Sequence, residues 1–213
     1  MLKIHHLGVS QSERIIWLCE ELALPYQLQH YTRDPVTRLS PPELKALHPL
    51  GAAPVIEDGA LLLAESAAIV EYIIEKHGAG QFKLAPTHAD YAAFLYWFHF
   101  SNGNLQPVIM RFMLANRAKA PADPLLLASA RDRLDRVLAL VETRLGQVPY
   151  FAGSEFTAAD IMNVFSLTTM RHFQPIDFTA YPHIRAYLQR IGERPAYRRA
   201  MVKGDPDMTL MLS

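Results

Sequence analysis

The hydrophobic pattern of the chain changes once, near residue 80, and this change limits the folds that the sequence can adopt. Before that point, apolar runs of strand length alternate with segments of helical period, whereas every periodic segment after it has the 3.6-residue spacing of a helix. A chain of 213 residues can hold two small domains. We therefore expect an α/β domain at residues 1–78, a linker at 79–86 and an all-helical domain at 87–213.

The α/β part begins with a strand–helix–strand unit. Short strands are predicted at Leu2–Leu7 and Tyr26–Tyr31. The segment between them carries apolar side chains at positions i, i+3, i+4 and i+7, which lie on one face of a helix: Ile15, Leu18, Cys19 and Leu22. Because a helix connects the two strands, we expect them to run parallel.

The remainder of this part predicts a second helix, a hairpin and a third helix. Ser40-Pro41-Pro42-Glu43 combines a cap residue with a proline at the first helical position and a glutamate in the first turn. Asp58-Gly59 is a strong hairpin signal between strands predicted at Pro54–Glu57 and Leu61–Ala64. A third helix is predicted over Glu65–His77. The domain should therefore hold a mixed four-stranded sheet and three helices.

The second half of the chain predicts helices only. Cap residues and prolines indicate helix starts at five places: Thr87, Asp123-Pro124, Thr157, Pro182 and Pro195. Capping boxes are expected at Thr87–Asp90 and, most clearly, at Thr157–Asp160. Gly103 and Pro107 should bend the first of these helices.

Composition and charge exclude several classes of function. Lys and Arg together number 21, as do Asp and Glu, so the formal net charge is zero. This balance gives none of the excess positive charge that is typical of proteins that bind nucleic acid or an anionic membrane surface. The apolar runs are too short to span a bilayer, and no signal peptide is evident. The one cysteine, Cys19, cannot form an intramolecular disulfide, which fits a reducing cytoplasm.

Metal binding is not indicated by the sequence. The nine histidines show no metal-ligand spacing. His5 and His6 are adjacent on a predicted strand, so we expect their side chains to face opposite sides of the sheet, where they cannot share one metal ion.

Pro54, at the start of a predicted strand, has both a structural and a functional interpretation. A trans proline is tolerated there because its missing N–H costs the sheet nothing. A cis Ala53–Pro54 bond would instead turn the N–H and C=O of Ala53 toward a ligand that lies along the strand edge.

Two helix starts have similar double interpretations. Glu65-Ser66 either caps its helix or binds an α-amino-acid head group, with the helix N-terminus and the Ser66 hydroxyl on the carboxylate and Glu65 on the ammonium. Ser10 either forms a capping box with Glu13 or points its hydroxyl into the space above the sheet edge.

In combination, these segments resemble the cytosolic glutathione transferase family. The resemblance covers essentially the whole chain and rests on three ordered motifs: His48-Pro49-Leu50-Gly51-Ala52-Ala53-Pro54, Glu65-Ser66-Ala67-Ala68-Ile69 and Phe156-Thr157-Ala158-Ala159-Asp160-Ile161. The segments His5–Leu22 and Arg33–Gly51 look most like the serine-type, theta-like transferases of bacteria and fungi. The resemblance implies a thioredoxin-like N-terminal domain, an all-α C-terminal domain and a homodimer.

The resemblance also implies an activity and residue roles. Glutathione would be the co-substrate, and its activated thiol would attack a hydrophobic electrophile, as in detoxification. Ser10 would activate the thiol, with Ser12 as the alternative; Ser12 is expected inside the helix, pointing along its side. The backbone of Ala53, before a cis Pro54, would pair with the cysteinyl part, and Glu65 with Ser66 would hold the γ-glutamyl head.

Two departures from the family pattern affect these expectations. Relatives often have lysine two residues before the proline, where this chain has Ala52, so Arg33 or Arg38 could supply a contact to the glycyl carboxylate. Relatives of this kind also tend to have Glu-Gly where this chain has Asn102-Gly103, which alters the expected substrate range or activity.

Other activities within the same fold remain as alternatives. One is a non-catalytic binding or regulatory module. Another is a glutathione-dependent thiol oxidoreductase or peroxidase, which is disfavoured because Cys19 lies within the first predicted helix and not at its start. Tyrosine-type transferases fit poorly because no tyrosine lies between Leu2 and Leu24.

Overall fold

The structure, a computed structural model, describes residues 1–117 and 124–213. In the first half of the chain, four strands form one sheet: β1 (Leu2–Leu7), β2 (Tyr26–Tyr31), β3 (Val55–Asp58) and β4 (Leu61–Ala64). Their order is β2-β1-β3-β4, with β1 parallel to β2 and both other pairs antiparallel. The predicted mixed four-stranded sheet is thus confirmed. Each strand forms where the local apolar pattern predicts it, and the Asp58-Gly59 turn connects β3 and β4 as a hairpin.

Nine α-helices lie within the described residues: α1 (Glu13–Glu21), α2 (Pro42–Lys45), α3 (Ser66–Lys76), α4 (Tyr91–Phe100), α5 (Gln106–Arg117), α6 (Pro124–Gln147), α7 (Ala158–Leu167), α8 (Pro182–Gly192) and α9 (Pro195–Gly204). Among the described residues, none of these is long and apolar enough to cross a bilayer. Asp123, predicted to open α6, lies outside the described residues.

The described residues divide into two compact units. One combines Met1–Lys83 with Gly192–Leu210, and the other combines Leu84–Ile191 with Met211–Ser213. This grouping differs from the predicted boundaries of 1–78 and 87–213, because α9 packs on α1 and Asp205, just after α9, accepts a hydrogen bond from Val9.

The packing of α9 explains why α1 is buried nearly all round. The predicted inner face, which includes Ile15 and Cys19, is buried, but so is Trp17 on another face. The ring of Trp17 meets that of Tyr197 at 4.9 Å, edge to face. Such a helix shows no simple amphipathic stripe, since its second apolar face is matched by a helix far along the chain.

Polar contacts fix α9 on α1. Arg194 donates two hydrogen bonds of 2.7 Å to the carboxylate of Glu21, in the bidentate geometry that favours arginine. Arg199 donates to Glu20 at 2.9 Å. These pairs join the start and the middle of α9 to the C-terminal end of α1.

In the helical unit, the predicted bend appears as a π-helical turn. Ser101–Leu105 forms this turn between α4 and α5, and Gly103 lies within it. The capping box predicted at Thr87–Asp90 is wrong, because α4 begins only at Tyr91 and the Asp90 N–H donates to Nδ1 of His88 instead.

The capping box at Thr157–Asp160 is confirmed. Oδ2 of Asp160 accepts a hydrogen bond of 2.8 Å from the Thr157 N–H, and the Thr157 hydroxyl accepts from the first turn of α7. Oδ1 of Asp160 accepts from the Phe151 N–H at 2.9 Å and from the Tyr187 hydroxyl at 3.0 Å. Burial nevertheless raises the pKa of Asp160 from 3.8 to about 6.

This raised pKa gives Asp160 a predictable effect on stability. Between about pH 4 and pH 6 the folded chain retains a proton that the unfolded chain has lost, so the contribution of Asp160 to the free energy of unfolding falls as pH rises through that window. The loss should reach about 3 kcal/mol above pH 6, since one pKa unit corresponds to about 1.36 kcal/mol.

Urea unfolding of the parent and of Asp160→Asn at several pH values checks this effect. Asparagine cannot titrate, and its amide NH₂ would face backbone donors, so the variant should be less stable throughout. The stability gap between parent and variant should narrow from about pH 4 to about pH 7. A gap that stays constant or widens would contradict the assignment.

Candidate functional site

The N-termini of α1 and α3 are joined by a group of three polar side chains. Nη1 of Arg14 donates to Oε1 of Gln11 at 2.7 Å and to Oγ of Ser66 at 3.0 Å. The Ser66 hydroxyl donates to the same Gln11 oxygen at 3.1 Å. Two helix N-termini, whose first-turn N–H groups lack intrahelical partners, are therefore held together, and such N–H groups favour anions.

Arg14 adds a buried positive charge to this place. Its side chain is fully buried, and burial lowers the pKa of Arg14 to about 9. The guanidinium therefore stays charged at neutral pH, and it increases the attraction of the two helix N-termini for an anion.

Ser10 and Ser12 lie on the loop between β1 and α1 and are hydrogen-bonded to each other. Their hydroxyl oxygens are 2.7 Å apart, and Oγ of Ser10 also accepts from the Ser12 N–H at 3.3 Å. The capping box expected between Ser10 and Glu13 does not form, because α1 begins at Glu13 and the Glu13 N–H donates to the backbone carbonyl of Ser10 instead of its hydroxyl. The expectation that Ser12 lies inside the helix is also wrong: it immediately precedes α1 and is fully buried.

The residue before Ser10 has an unusual backbone conformation. Val9 has φ of 52°, in the left-handed region that a β-branched residue rarely adopts. Its N–H donates to both carboxylate oxygens of Asp205, at 3.0 and 3.1 Å, and its C=O accepts from Nη2 of Arg33 at 3.0 Å. Nε of Arg33 also donates to the carbonyl of Gly8 at 3.0 Å. Two distant side chains thus hold the loop that carries Ser10.

These contacts bear on the two arginines considered for the glycyl carboxylate. Nη1 of Arg33 donates to the carbonyl of Arg38 at 3.0 Å, so Nε, Nη1 and Nη2 of this guanidinium all donate to backbone carbonyls. Burial lowers the pKa of Arg33. The side chain of Arg38 is exposed.

Lys45, at the end of α2, is a further cation in this region. It lines a groove of about 420 Å³ together with Arg33 and Ser40. Its side chain runs beside Gly51, where an added Cβ would lie 3.2 Å from Cγ of Lys45. Gly51 has φ of +59° and precedes the segment with Ala53 and Pro54, so Lys45 lies beside the proline motif.

The Ala53–Pro54 peptide bond is cis, as predicted. Both residues are buried and precede β3, which begins at Val55. Ala53 packs with Leu7 and Leu44, while Ala52 is exposed.

Glu65 precedes α3 in a second unusual backbone conformation. It has φ of 70° and ψ of 112°, and its side chain is exposed. Non-glycine residues held in such regions are found disproportionately at ligand sites. Ser66, by contrast, is buried, and its hydroxyl is already bonded to Gln11 and Arg14.

Cys19 is unsuited to nucleophilic chemistry. It lies in the middle of α1, fully buried, and burial raises the pKa of its thiol to about 12. Because the thiolate is the reactive form, this cysteine should be inert. Within the described residues no cluster of side chains could hold a metal ion.

Five polar residues of this region were missed by reasoning from the sequence: His6, Gln11, Arg14, Lys45 and Asp205. Gln11 and Arg14 are close in sequence to the candidate residues Ser10 and Ser12. A run of polar residues at a predicted helix start could therefore have indicated them. No local signal marks Asp205, which bonds to Val9 across 196 positions of the chain.

Comparisons with known proteins agree with this architecture. The sequence model of the glutathione S-transferase N-terminal domain matches residues 10–76, and that of the glutathione S-transferase C-terminal domain matches residues 103–195. The chain is similar to Glutathione S-transferase 3 of Schizosaccharomyces pombe, with 29% identity over 100% of this chain and 91% of that protein. It is 30% identical to Glutathione S-transferase 3 of Zea mays, over 75% of each.

A solved structure is also similar over nearly the whole chain. It is a glutathione S-transferase from Actinobacillus pleuropneumoniae, 31% identical, with a TM-score of 0.88 over 96% of this chain and 93% of its own.

Proposed function

This chain belongs to the glutathione S-transferase family and is a glutathione transferase, and from this premise we propose that Ser10 activates the glutathione thiol for attack on a hydrophobic electrophile. The observation that carries the proposal is the position of Ser10. Its hydroxyl lies just before α1, beside the joined helix N-termini, on a loop held in place by Asp205 and Arg33.

The chemical task is to favour the thiolate. A free thiol has a pKa near 8.5, so only a few per cent is ionised at pH 7. A hydroxyl that donates to sulfur binds the charged form more strongly, and a difference of roughly 1.5–3 kcal/mol lowers the thiol pKa by about one to two units. The N-terminus of α1 adds to this effect through its dipole.

Ser10 suits this role better than Ser12. Ser12 is fully buried and its hydroxyl contacts both Ser10 and His6, so a substrate sulfur has no route to it. Ser10 is the outer member of the pair and retains 6% exposure. Ser12 would then support Ser10 instead of contacting the substrate.

The γ-glutamyl head would bind at the start of α3. Its carboxylate suits the N–H groups of the first turn and the charge of Arg14, and its ammonium suits the exposed carboxylate of Glu65. Because the Ser66 hydroxyl is bonded to Gln11 and Arg14, we assign Ser66 a contact through its backbone and a second role in joining the two helices. The backbone of Ala53, before Pro54, would pair with the cysteinyl part.

Lys45 would bind the glycyl carboxylate in place of the lysine that is absent at Ala52. The aliphatic part of the Lys45 side chain lies beside Gly51, and Lys45 lines the groove. Arg33, by contrast, donates its hydrogen bonds to backbone carbonyls. A point charge on a flexible stem suits a solvent-exposed carboxylate.

The resemblance further implies a cytoplasmic homodimer that serves detoxification. Light scattering at micromolar concentration should give the mass of two chains. A mass of one chain would contradict the dimer and leave the assignment of Ser10 unaffected.

Replacement of Ser10 tests the proposed activation. At about pH 6.5, where bound glutathione gains little from thiolate formation, Ser10→Ala should leave glutathione affinity nearly unchanged but lower conjugation of a chlorinated nitrobenzene about tenfold to a hundredfold. At about pH 9 and saturating glutathione, where the free thiol is mostly ionised, the loss of conjugation should be much smaller. Ser129→Ala, an exposed serine on α6, is the matched control and should have no effect at either pH.

A purely structural Ser10 would give a different result. The variant would then lose stability with unchanged turnover per folded molecule. An equal loss of rate at both pH values, or unchanged conjugation at the lower pH, would contradict the proposal.

The role of Lys45 can be separated from that of Arg38. Lys45→Ala should weaken glutathione binding about threefold to tenfold, as expected for one exposed charged hydrogen bond, whereas Arg38→Ala should change it little. Calorimetric titration with glutathione and with γ-glutamylcysteine, which lacks the glycine, provides the measurement. If Lys45→Ala weakens both ligands equally, or neither, Lys45 does not bind the glycyl carboxylate.

A further inference from the structure

The hydrogen-bond chain at Ser10 continues inward to a buried histidine. Oγ of Ser10 and Oγ of Ser12 are 2.7 Å apart, and Oγ of Ser12 is 2.8 Å from Nδ1 of His6. The His6 side chain is fully buried. Because a hydroxyl both donates and accepts, two hydroxyls in series can relay a proton between the site and the imidazole.

The far side of the His6 ring faces a carboxylate. Nε2 of His6 lies 3.2 Å from Oδ2 of Asp205, an ion-pair distance, although the atoms are not aligned as a direct hydrogen bond within the described residues. A Cβ at Gly204 would lie 3.3 Å from this nitrogen, so the glycine leaves room for the ring beside Asp205.

Within residues 1–117 and 124–213, a second titratable group against the ring is His30. Its ring meets that of His6 edge to face at 5.5 Å. Burial, and then the proximity of His6, lower the pKa of His30, so that it is neutral at neutral pH. His5, on the same strand, faces the other side of the sheet and bonds to Tyr31 and Glu57. Of the described residues that contact His6 here, Asp205 is the one that carries a charge at neutral pH.

These surroundings determine which atoms of the Ser10–Ser12–His6 hydrogen-bond series carry the protons. A lone pair on Nε2 would be repelled by the Asp205 carboxylate, so Nε2 carries the proton and Nδ1 is an acceptor. The Ser12 hydroxyl then donates to Nδ1 of His6, and the Ser10 hydroxyl donates to Oγ of Ser12. Oγ of Ser10 keeps a lone pair for the S–H of an incoming thiol.

We propose that His6 is the terminal acceptor of the thiol proton of glutathione, reached through Ser10 and Ser12. The S–H bond breaks and its proton moves to Oγ of Ser10, while Ser10 passes its own proton to Ser12 and Ser12 passes its own to Nδ1 of His6. One N–H bond replaces one S–H bond, and the products are a thiolate and an imidazolium whose counter-ion is Asp205.

The transfer reverses the direction of each hydrogen bond in the series from the thiol through Ser10 and Ser12 to His6. Nδ1–H of His6 then donates to Ser12, Ser12 donates to Ser10, and Ser10 donates to the new thiolate, which is the bond that the proposed function requires. Once the product leaves, the same chain returns the proton to water in the open site. The inference rests on the proposed role of Ser10.

Asp205 has two positioning roles in this arrangement. One carboxylate accepts the N–H of Val9, which sets the backbone before Ser10, and it also stands beside Nε2 of His6. The segment that follows α9 thus controls both the placement of the hydroxyl and the charge state of the proton acceptor.

His6→Gln tests the relay, with His5→Gln as the matched control: an equally buried histidine of the same strand that faces away from the chain of hydroxyls. The readout is the ultraviolet absorbance of the thiolate of bound glutathione, titrated against pH. His6→Gln should raise the titration midpoint by about one unit, so that about tenfold less thiolate forms below it, with the affinity for glutathione unchanged at pH values well below the midpoint. His5→Gln should titrate like the parent.

Asp205→Asn keeps an oxygen acceptor for the Val9 N–H but removes the counter-ion, so its midpoint should rise in the same direction by a smaller amount. If His6→Gln does not fold, the midpoint of Asp205→Asn tests the proton relay to His6 instead. Midpoints equal to that of the parent in His6→Gln, or in Asp205→Asn, would overturn the relay.

Ser10→Ala in the same titration separates the two proposals. If its midpoint rises while those of His6→Gln and Asp205→Asn do not, the relay fails and the role of Ser10 stands. If its midpoint equals that of the parent, the role of Ser10 itself fails.

Discussion

The site depends on the contact between the Asp205 carboxylate and the N–H of Val9. A β-branched residue at positive φ costs roughly 1–3 kcal/mol, and a hydrogen bond to a charged group offsets about 1.5–3 kcal/mol of this. Arg33 adds bonds to the carbonyls of Gly8 and Val9. The loop therefore has one stable conformation, and Ser10 follows it at the start of α1. Without these contacts the hydroxyl would have no fixed position relative to the two helix N-termini.

Elements that depend on local pattern could be predicted from the sequence. The bounds of β1, β2 and β4 match the prediction, as does the Thr157–Asp160 cap, because alternation, turn chemistry and capping act over a few residues. The burial of α1 on several faces could not be predicted, since α9 covers it from the far end of the sequence. The box at Thr87 failed because His88 supplies a competing acceptor.

The candidate site divides in the same way. The order of the motifs was enough to flag Ser10, Ala53, Pro54, Glu65 and Ser66, and the cis bond before Pro54 is confirmed. Whether each polar side chain is available to a ligand depends on hydrogen-bond partners that are distant in the sequence. Arg33 and the hydroxyl of Ser66 resemble ligand contacts in the sequence, yet both are bonded within the protein. Lys45 and Asp205 carry no local signal.

The proposed activation requires that the loop held by Asp205 and Arg33 presents the Ser10 hydroxyl to the sulfur of glutathione. A crystal structure of the protein with glutathione bound measures this directly. We expect the sulfur within hydrogen-bond distance of Oγ of Ser10, with Val9 still bonded to Asp205 and Ser12 still out of contact with the ligand. A sulfur whose nearest donor is another residue, with Ser10 turned away from it, would rule out the role proposed for Ser10.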